Sequence, residues 1–317
     1  MIVGENKMRN KILKNLDEQI EILRSKGLVI DDVEFAKEVL LRENYFFLSG
    51  YRHLLMKKNN DARFIDGTKF EELHALFLFD RELRNTMFKH ILIIENNMKS
   101  IISYQLSRKY GFKEKDYLDP KNFTQDPARD KQVHDVLNKM KRQIRVNGRQ
   151  HTATMHYMDN YGYIPMWILV KVLSLGIISE FYNILKKEDQ ESIASIYRLD
   201  TEELSIYLSL LSNFRNLCAH EDILYEHRTG RMIFDTEYHH SLQIPKNEED
   251  VYVYGKNDLF ALIIIMKQMF RDREFHDLMH EIEYELGQLD SRVDTVELNV
   301  ILNKIGFPSN WREIINL

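Results

Sequence analysis

The sequence predicts an all-α fold, and three observations carry that expectation. Gly and Pro are scarce, 12 and 5 among 317 residues, so long stretches run without a helix breaker. From Thr68 to Gly111 no Gly or Pro intervenes, and Leu73, Leu76, Leu83, Met87, Ile91, Ile94, Met98 and Ile102 recur at helical spacing. Helix starts and stops also punctuate the chain where the apolar pattern changes.

Each element follows in order. In "RNKILKNLDEQIEILRSKG", Ile12, Leu16, Ile20 and Leu23 share one stripe and Gly27 ends it. Asp31 or Asp32 can cap the next helix, "VEFAKEVLLREN". After an aromatic segment and the loop "KKNNDARFIDG", "TKFE" (Thr68 to Glu71) reads as a capping box that opens one very long helix, or two collinear ones, ending near Gly111. A second core helix spans about Pro127 to Asn147 and is basic at its end. A third starts near Pro165, which suits a first turn, and runs to Lys187. A fourth spans Thr201 to Cys218, with Leu204, Leu208, Leu211 and Leu217 on its apolar side. "RTGRMIFDTEYHH" reads as a loop or short hairpin. Helices resume near Lys256, and Val293 to Leu317 reads as two short helices broken at "GFPSN". The expected organisation is an N-terminal helical region (1–67) packing on a helical core (68–275), with a C-terminal helical extension (276–317).

Composition bounds the function. A hydrophobic fraction of 44% can bury a substantial core, and the net charge of −5 supplies no global field for nucleic acid, so RNA binding needs a local patch. Cys218 is the only cysteine, which excludes an internal disulfide and suits a reducing compartment. The N-terminus lacks the apolar core of a signal peptide. The apolar runs "LFALIIIM" and "IPMWILV" are too short to span a bilayer. A cytoplasmic protein with no membrane partner is expected.

The chemistry concentrates in "SNFRNLCAHEDILYEHR", Ser212 to Arg228. Arg215 and His220 lie about 140° apart around a regular helix. Either the helix loosens after Cys218, or the pair straddles a groove completed by something else, which suits a dimer. A guanidinium matches phosphate oxygens, an imidazole moves protons near neutrality, and Asn216 offers an amide to hold either partner or the substrate. RNA carries its own nucleophile, the 2′-hydroxyl. A base to remove its proton and a cation to stabilise the crowded phosphorane suffice for cleavage to a 2′,3′-cyclic phosphate and a 5′-hydroxyl, with no metal or other cofactor. The bland alternative is that both side chains cap the helix C-terminus. "RNTMFKH", Arg84 to His90, has a similar pattern inside the long helix and reads as incidental.

Four segments, "NYFFLSGYRHLL", "FDRELRNTMFKHILIIENNMKSIISYQLSRKYG", "MHYMDNYGYIPMWILVKVLSLGIISEFYNIL" and "LSLLSNFRNLCAHEDILYEHR", occur in that order. Together they resemble the Abi family of bacterial abortive-infection proteins, the group similar to AbiD and AbiF, over roughly Asp17 to Arg228. That family is similar to HEPN domains, whose ribonuclease members carry R-x4-6-H, and "RNLCAH" fits at Arg215, Asn216 and His220. The resemblance implies an all-α, HEPN-like helical bundle with small N- and C-terminal additions. It also implies phage defence or a toxin-like role, RNA as target, an RNA or protein antitoxin as candidate partner, and a homodimer with the Thr201 to His220 helix near its axis. Glu95 matches the family pattern, while Lys99 stands where an Arg is more usual.

Supporting residues remain open between two readings. Glu95 orients Arg215 or His220, or is a surface carboxylate or structural ion pair. His156 and Tyr161 line the site, or Tyr161, Tyr163 and Trp167 pack at the core or its edge. Lys139, Lys141, Arg142 and Arg145 form the best local phosphate-contacting patch, or a solvated helix face. Cys218 reads as an inert buried thiol, and "HEDILYEH" is not a zinc motif. Two functions compete with an endoribonuclease: a non-catalytic RNA-binding module of the same fold, and a helical scaffold that binds protein.

Overall fold

A computed structural model describes residues 13–58 and 62–317. Ile12 of the first stripe lies outside them. No strand forms among the described residues, and the all-α expectation holds. The chain divides into two compact units: Met1–Phe79 with Leu286–Ile301, and Asp80–Glu285 with Leu302–Leu317.

In the first unit α1 (Leu16–Ser25) and α2 (Val33–Glu43) pack together and α3 (Tyr45–Ser49) follows. Asn15 closes a capping box with Glu18, and Asp32 rather than Asp31 caps α2 by accepting from the Phe35 amide at 2.9 Å. Gly27 ends the α1 stripe at φ 90°, a left-handed turn that favours glycine.

The long helix is α4, Phe70–Tyr110, a single element of 41 residues. The expected Thr68–Glu71 box is shifted. Thr68 Oγ1 donates to the Ile65 carbonyl, and Glu72 instead accepts from the Lys69 amide at 3.1 Å. Glu72 also accepts from the amides of Asp294 and Thr295 and from the Thr295 hydroxyl. One buried carboxylate thus satisfies donors from two chain segments, and Glu72 rather than Glu71 caps the helix that starts at Phe70.

The second unit continues with α5 (Glu114–Tyr117), α6 (Asp130–Asn147), α7 (Thr152–Tyr161), α8 (Met166–Leu169), α9 (Leu175–Ile184), α10 (Lys187–Ala194) and α11 (Thr201–Ala219). The third core helix expected from Pro165 to Lys187 is broken. Leu173 is extended, and Ser174 caps a new helix by accepting from the Ile177 amide. Apolar periodicity runs through the break because both pieces bury the same kind of side chain. Gly176 then lets α9 approach α11: a Cβ there would sit 3.2 Å from Ser212 Oγ. Lys187 belongs to the next helix, α10.

The remaining helices are α12 (Glu237–Ser241), α13 (Leu259–Met269), α14 (Asp272–Asp290) and α15 (Leu298–Ile305). The segment 228–235 is a loop, not a hairpin. The apolar run of α13 is buried on every side, from Leu259 to Met266, as expected of a helix without a polar face. Among the described residues no helix is long and apolar enough to cross a membrane. A final 3-10 helix at Trp311–Asn316 completes the break expected at "GFPSN".

Candidate active site

Helix α11 delivers the Arg and the His. It starts on a capping box in which Asp200 accepts from the Glu203 amide at 2.8 Å and Glu203 accepts from the Asp200 amide. Its apolar face packs on α9 and α13. It stays regular through Ala219, and His220 is its C-cap. Arg215 and His220 therefore diverge around the axis; the helix does not loosen after Cys218.

The end of α11 is closed by a Schellman motif. The Asp222 amide donates to the Leu217 carbonyl at 3.2 Å and the Glu221 amide to the Cys218 carbonyl at 3.4 Å. Glu221 takes the left-handed conformation, φ 58°, a position usually given to Gly or Asn. The chain turns sharply there, directly after His220.

Arg215 points toward α4. Its Nε lies 3.6 Å from Glu95 Oε2, and its guanidinium sits over the Phe88 ring with 5.5 Å to the centroid. Neither Arg215 Nε nor Glu95 Oε2 has a hydrogen-bond partner, so the contact is a charge contact without hydrogen-bond geometry. Glu95 is buried, at 4% exposure, and its other oxygen accepts from Lys99 Nζ at 2.6 Å. The group is a carboxylate held between two cations, the arrangement that makes a buried charge tolerable. Glu95 meets Arg215 and not His220. The terminal nitrogens of the Arg215 guanidinium form no hydrogen bond among the described residues, and the side chain is 28% exposed.

Asn216 and His220 are exposed, and their side chains have no hydrogen-bond partner among the described residues. The chain beyond them is clamped. Asp80 is fully buried and accepts from the amides of Leu224 at 3.1 Å and Tyr225 at 2.8 Å. Arg84, one turn along α4, pairs with Asp80 and also donates to the Asp222 carbonyl at 3.4 Å. His227 returns to α11, its Nε2 2.6 Å from Asn213 Oδ1 and its ring against Phe214. Burial holds the His227 imidazole below its usual pKa, helped by the Arg228 charge.

A match to the model of the family described as Abi-like protein covers residues 38–226. The chain belongs to this family. No curated protein and no solved structure matches it. The Abi-like region contains Asp80, Arg84, Glu95, Lys99, Arg215, Asn216 and His220, hence the helix end, its carboxylate support and the clamp. Membership supports a role in abortive infection.

The other expected site residues lie elsewhere. His156 is exposed on α7 beside Asn160, Tyr157 and Tyr161, and none of its described contacts is with Arg215, Asn216 or His220. Lys139 is engaged by Glu180 in an exposed pair. Lys141, Arg142 and Arg145 are exposed on α6 without an ion-pair partner among the described residues.

The second Arg–His pattern is buried. Arg84 is at 4% exposure, and His90, at 2%, lies 3.3 Å from Glu281 while burial lowers its pKa. Cys218 is buried too, and burial pushes its thiol up to about 12, an inert state. No group of three or more His, Cys, Asp or Glu is placed to hold a metal ion among the described residues. Sequence reasoning missed the Asp80–Arg84 clamp. Its signal was an Asp and an Arg four apart on the stripe that Leu73, Leu76, Met87 and Ile91 mark as buried.

Proposed function

We propose that this Abi-like protein is a metal-independent endoribonuclease of a phage-defence or toxin–antitoxin system. One observation carries the reading: Arg215 is braced from behind by Glu95 and Phe88 while its terminal nitrogens, and the Asn216 and His220 side chains, remain unengaged. A residue that served only to cap a helix would spend its donors on the helix's last carbonyls.

In this mechanism His220 takes the proton from an RNA 2′-hydroxyl. The 2′-oxygen attacks the adjacent phosphorus, and the P–O5′ bond breaks. Arg215 holds the phosphate and stabilises charge building on its non-bridging oxygens, and Asn216 orients the substrate. The proton acquired by His220 balances the one that the departing 5′-oxygen takes up. Glu95 and Lys99 keep Arg215 in position. No step calls on a metal. Cleavage is expected to persist in excess EDTA, to leave 2′,3′-cyclic phosphate ends, and to fail on RNA with a single 2′-deoxy sugar at the cut site. Efficient cutting of the deoxy substrate would sink the mechanism.

The divergence of Arg215 and His220 around a regular helix favours a site shared by two copies. In a two-fold dimer with α11 near the axis, the Arg215 of one copy and the His220 of the other serve one phosphate; two-fold contacts are the commonest oligomer geometry. Mixing an Arg215→Ala protomer with a His220→Ala protomer is expected to recover partial activity absent from either variant alone. A protein that sediments as a monomer while cleaving RNA would rule this arrangement out.

A further inference from the structure

The molecule carries a second surface with chemistry of its own. After α4 and around α7 and α8, five aromatic rings form a continuous array. Phe112 lies 5.7 Å from Tyr163 and 6.0 Å from Trp167, Tyr163 lies 6.3 Å from Tyr161, and Tyr161 lies 5.3 Å from Tyr157. The Trp167 indole donates to the Tyr157 hydroxyl at 3.4 Å, and Lys113 Nζ stands 5.1 Å over the Tyr163 ring. Rings that pack only to build a core lose their exposure. Here Phe112, Tyr161 and Trp167 keep 41%, 57% and 42% of theirs.

The array is rigidly mounted. Gly162 reverses the chain at φ 73°, and Ile164 is then fastened by both backbone groups. Its amide donates to the Glu114 carboxylate, and its carbonyl accepts from the buried Tyr117 hydroxyl at 2.7 Å. Helix α6, which packs on both α7 and α8, brings positive charge. Between residues 138 and 171 the Lys and Arg are Lys139, Lys141, Arg142, Arg145, Arg149 and Lys171, and the only acid is Asp159. Lys139 is spent on Glu180, which leaves the other five cations against Asp159 in a chain whose net charge is −5.

We propose that this aromatic platform stacks the unpaired bases of single-stranded RNA while the basic end of α6 meets its phosphates. Ring faces accept any base, and a duplex hides those faces in its own stack. The surplus of Lys and Arg selects a polyanion over an apolar protein face. The inference rests on the reading that the chain handles RNA, but not on its cutting RNA.

The full chain reports its own occupancy. Of its two tryptophans, Trp167 is exposed and Trp311 is fully buried, so base stacking should quench only the former. The probe is a single-stranded RNA of roughly 12 nucleotides, titrated into the His220→Ala protein. Expected are quenching by the single strand, none by the duplex of the same sequence, and binding weakened roughly tenfold by Tyr161→Ala. Tyr161→Phe, which keeps the ring, should restore affinity. Unchanged affinity in Tyr161→Ala and Trp167→Ala proteins of wild-type helix content, read for both by the fluorescence anisotropy of end-labelled RNA because the second lacks the tryptophan reporter, would overturn the proposal. So would equal binding of duplex, or loss of self-association in those variants without change in RNA affinity. Because binding alone is read, failure of the platform is separable from failure of the nuclease reading. Cleavage lost in Arg215→Ala but intact in the platform variants, with binding unchanged, would sink only the platform.

Discussion

His220→Ala and Arg215→Ala are each expected to lower RNA cleavage by about 10²–10⁴-fold, and with it growth arrest on expression, while the helix content stays that of the wild type. His220 is exposed and engages no described side chain, so its removal leaves no buried group unpaired. Arg215 is only half-buried, but its loss strips Glu95 of one of two cations. A small fall in stability therefore accompanies Arg215→Ala and not His220→Ala. The decisive comparison is at matched soluble protein. If both variants still cut at the wild-type rate, the helix end is a structural cap and the catalytic reading is wrong. A cut retained by Arg215→Ala alone would assign the phosphate to another cation.

Asp80→Ala is expected to be the most destabilising single change in the clamp, at about 3–5 kcal/mol in urea unfolding. The substitution removes the carboxylate that Arg84 and the amides of Leu224 and Tyr225 share. Arg84→Leu should cost less, because Asp80 keeps both amide donors when the guanidinium is gone. Below the unfolding transition both variants should also cut more slowly, since the chain after His220 is no longer pinned to α4. Equal stability of Asp80→Ala and wild type, within about 1 kcal/mol, would show that the clamp does not hold that loop. Arg84 thus acts by position: its spacing to His90, six positions against five for Arg215 and His220, is similar, but the exposure of the two pairs is not.

The helix that bears the site was legible because its signals are local. Leu204, Leu208 and Leu211 mark one buried row of it; Arg215, four residues after Leu211, continues that row as a charge where another apolar residue is expected, and His220 falls off it. The contacts that place it were not legible. The Asp80 bonds to Leu224 and Tyr225 cross 144 and 145 positions, and no local pattern announces a partner that distant. Glu221 was hidden for a different reason: a left-handed C′ residue is usually glycine, and here the sharp turn is made by a side chain that gives no such sign. The break at Leu173 and Ser174 was masked by apolar periodicity on both sides, although a serine ahead of an apolar run is a weak start signal. Glu95 was recognisable as a charge on an apolar helix, but only the fold decides that it faces Arg215.

The brace and the group it braces stand far apart in synthesis order. Glu95 precedes Arg215 by 120 positions (215 − 95), so a ribosome adding about 5–20 residues per second makes the carboxylate several seconds before the guanidinium. A nascent chain stopped anywhere in that interval holds the socket without its plug. Under the proposed nuclease function, where the finished protein would attack RNA, including the message and ribosome that are making it, such an order defers the hazard. Under that same proposal a chain interrupted before Arg215 lacks the phosphate-holding group, and competence waits on the contact between Arg215 and Glu95.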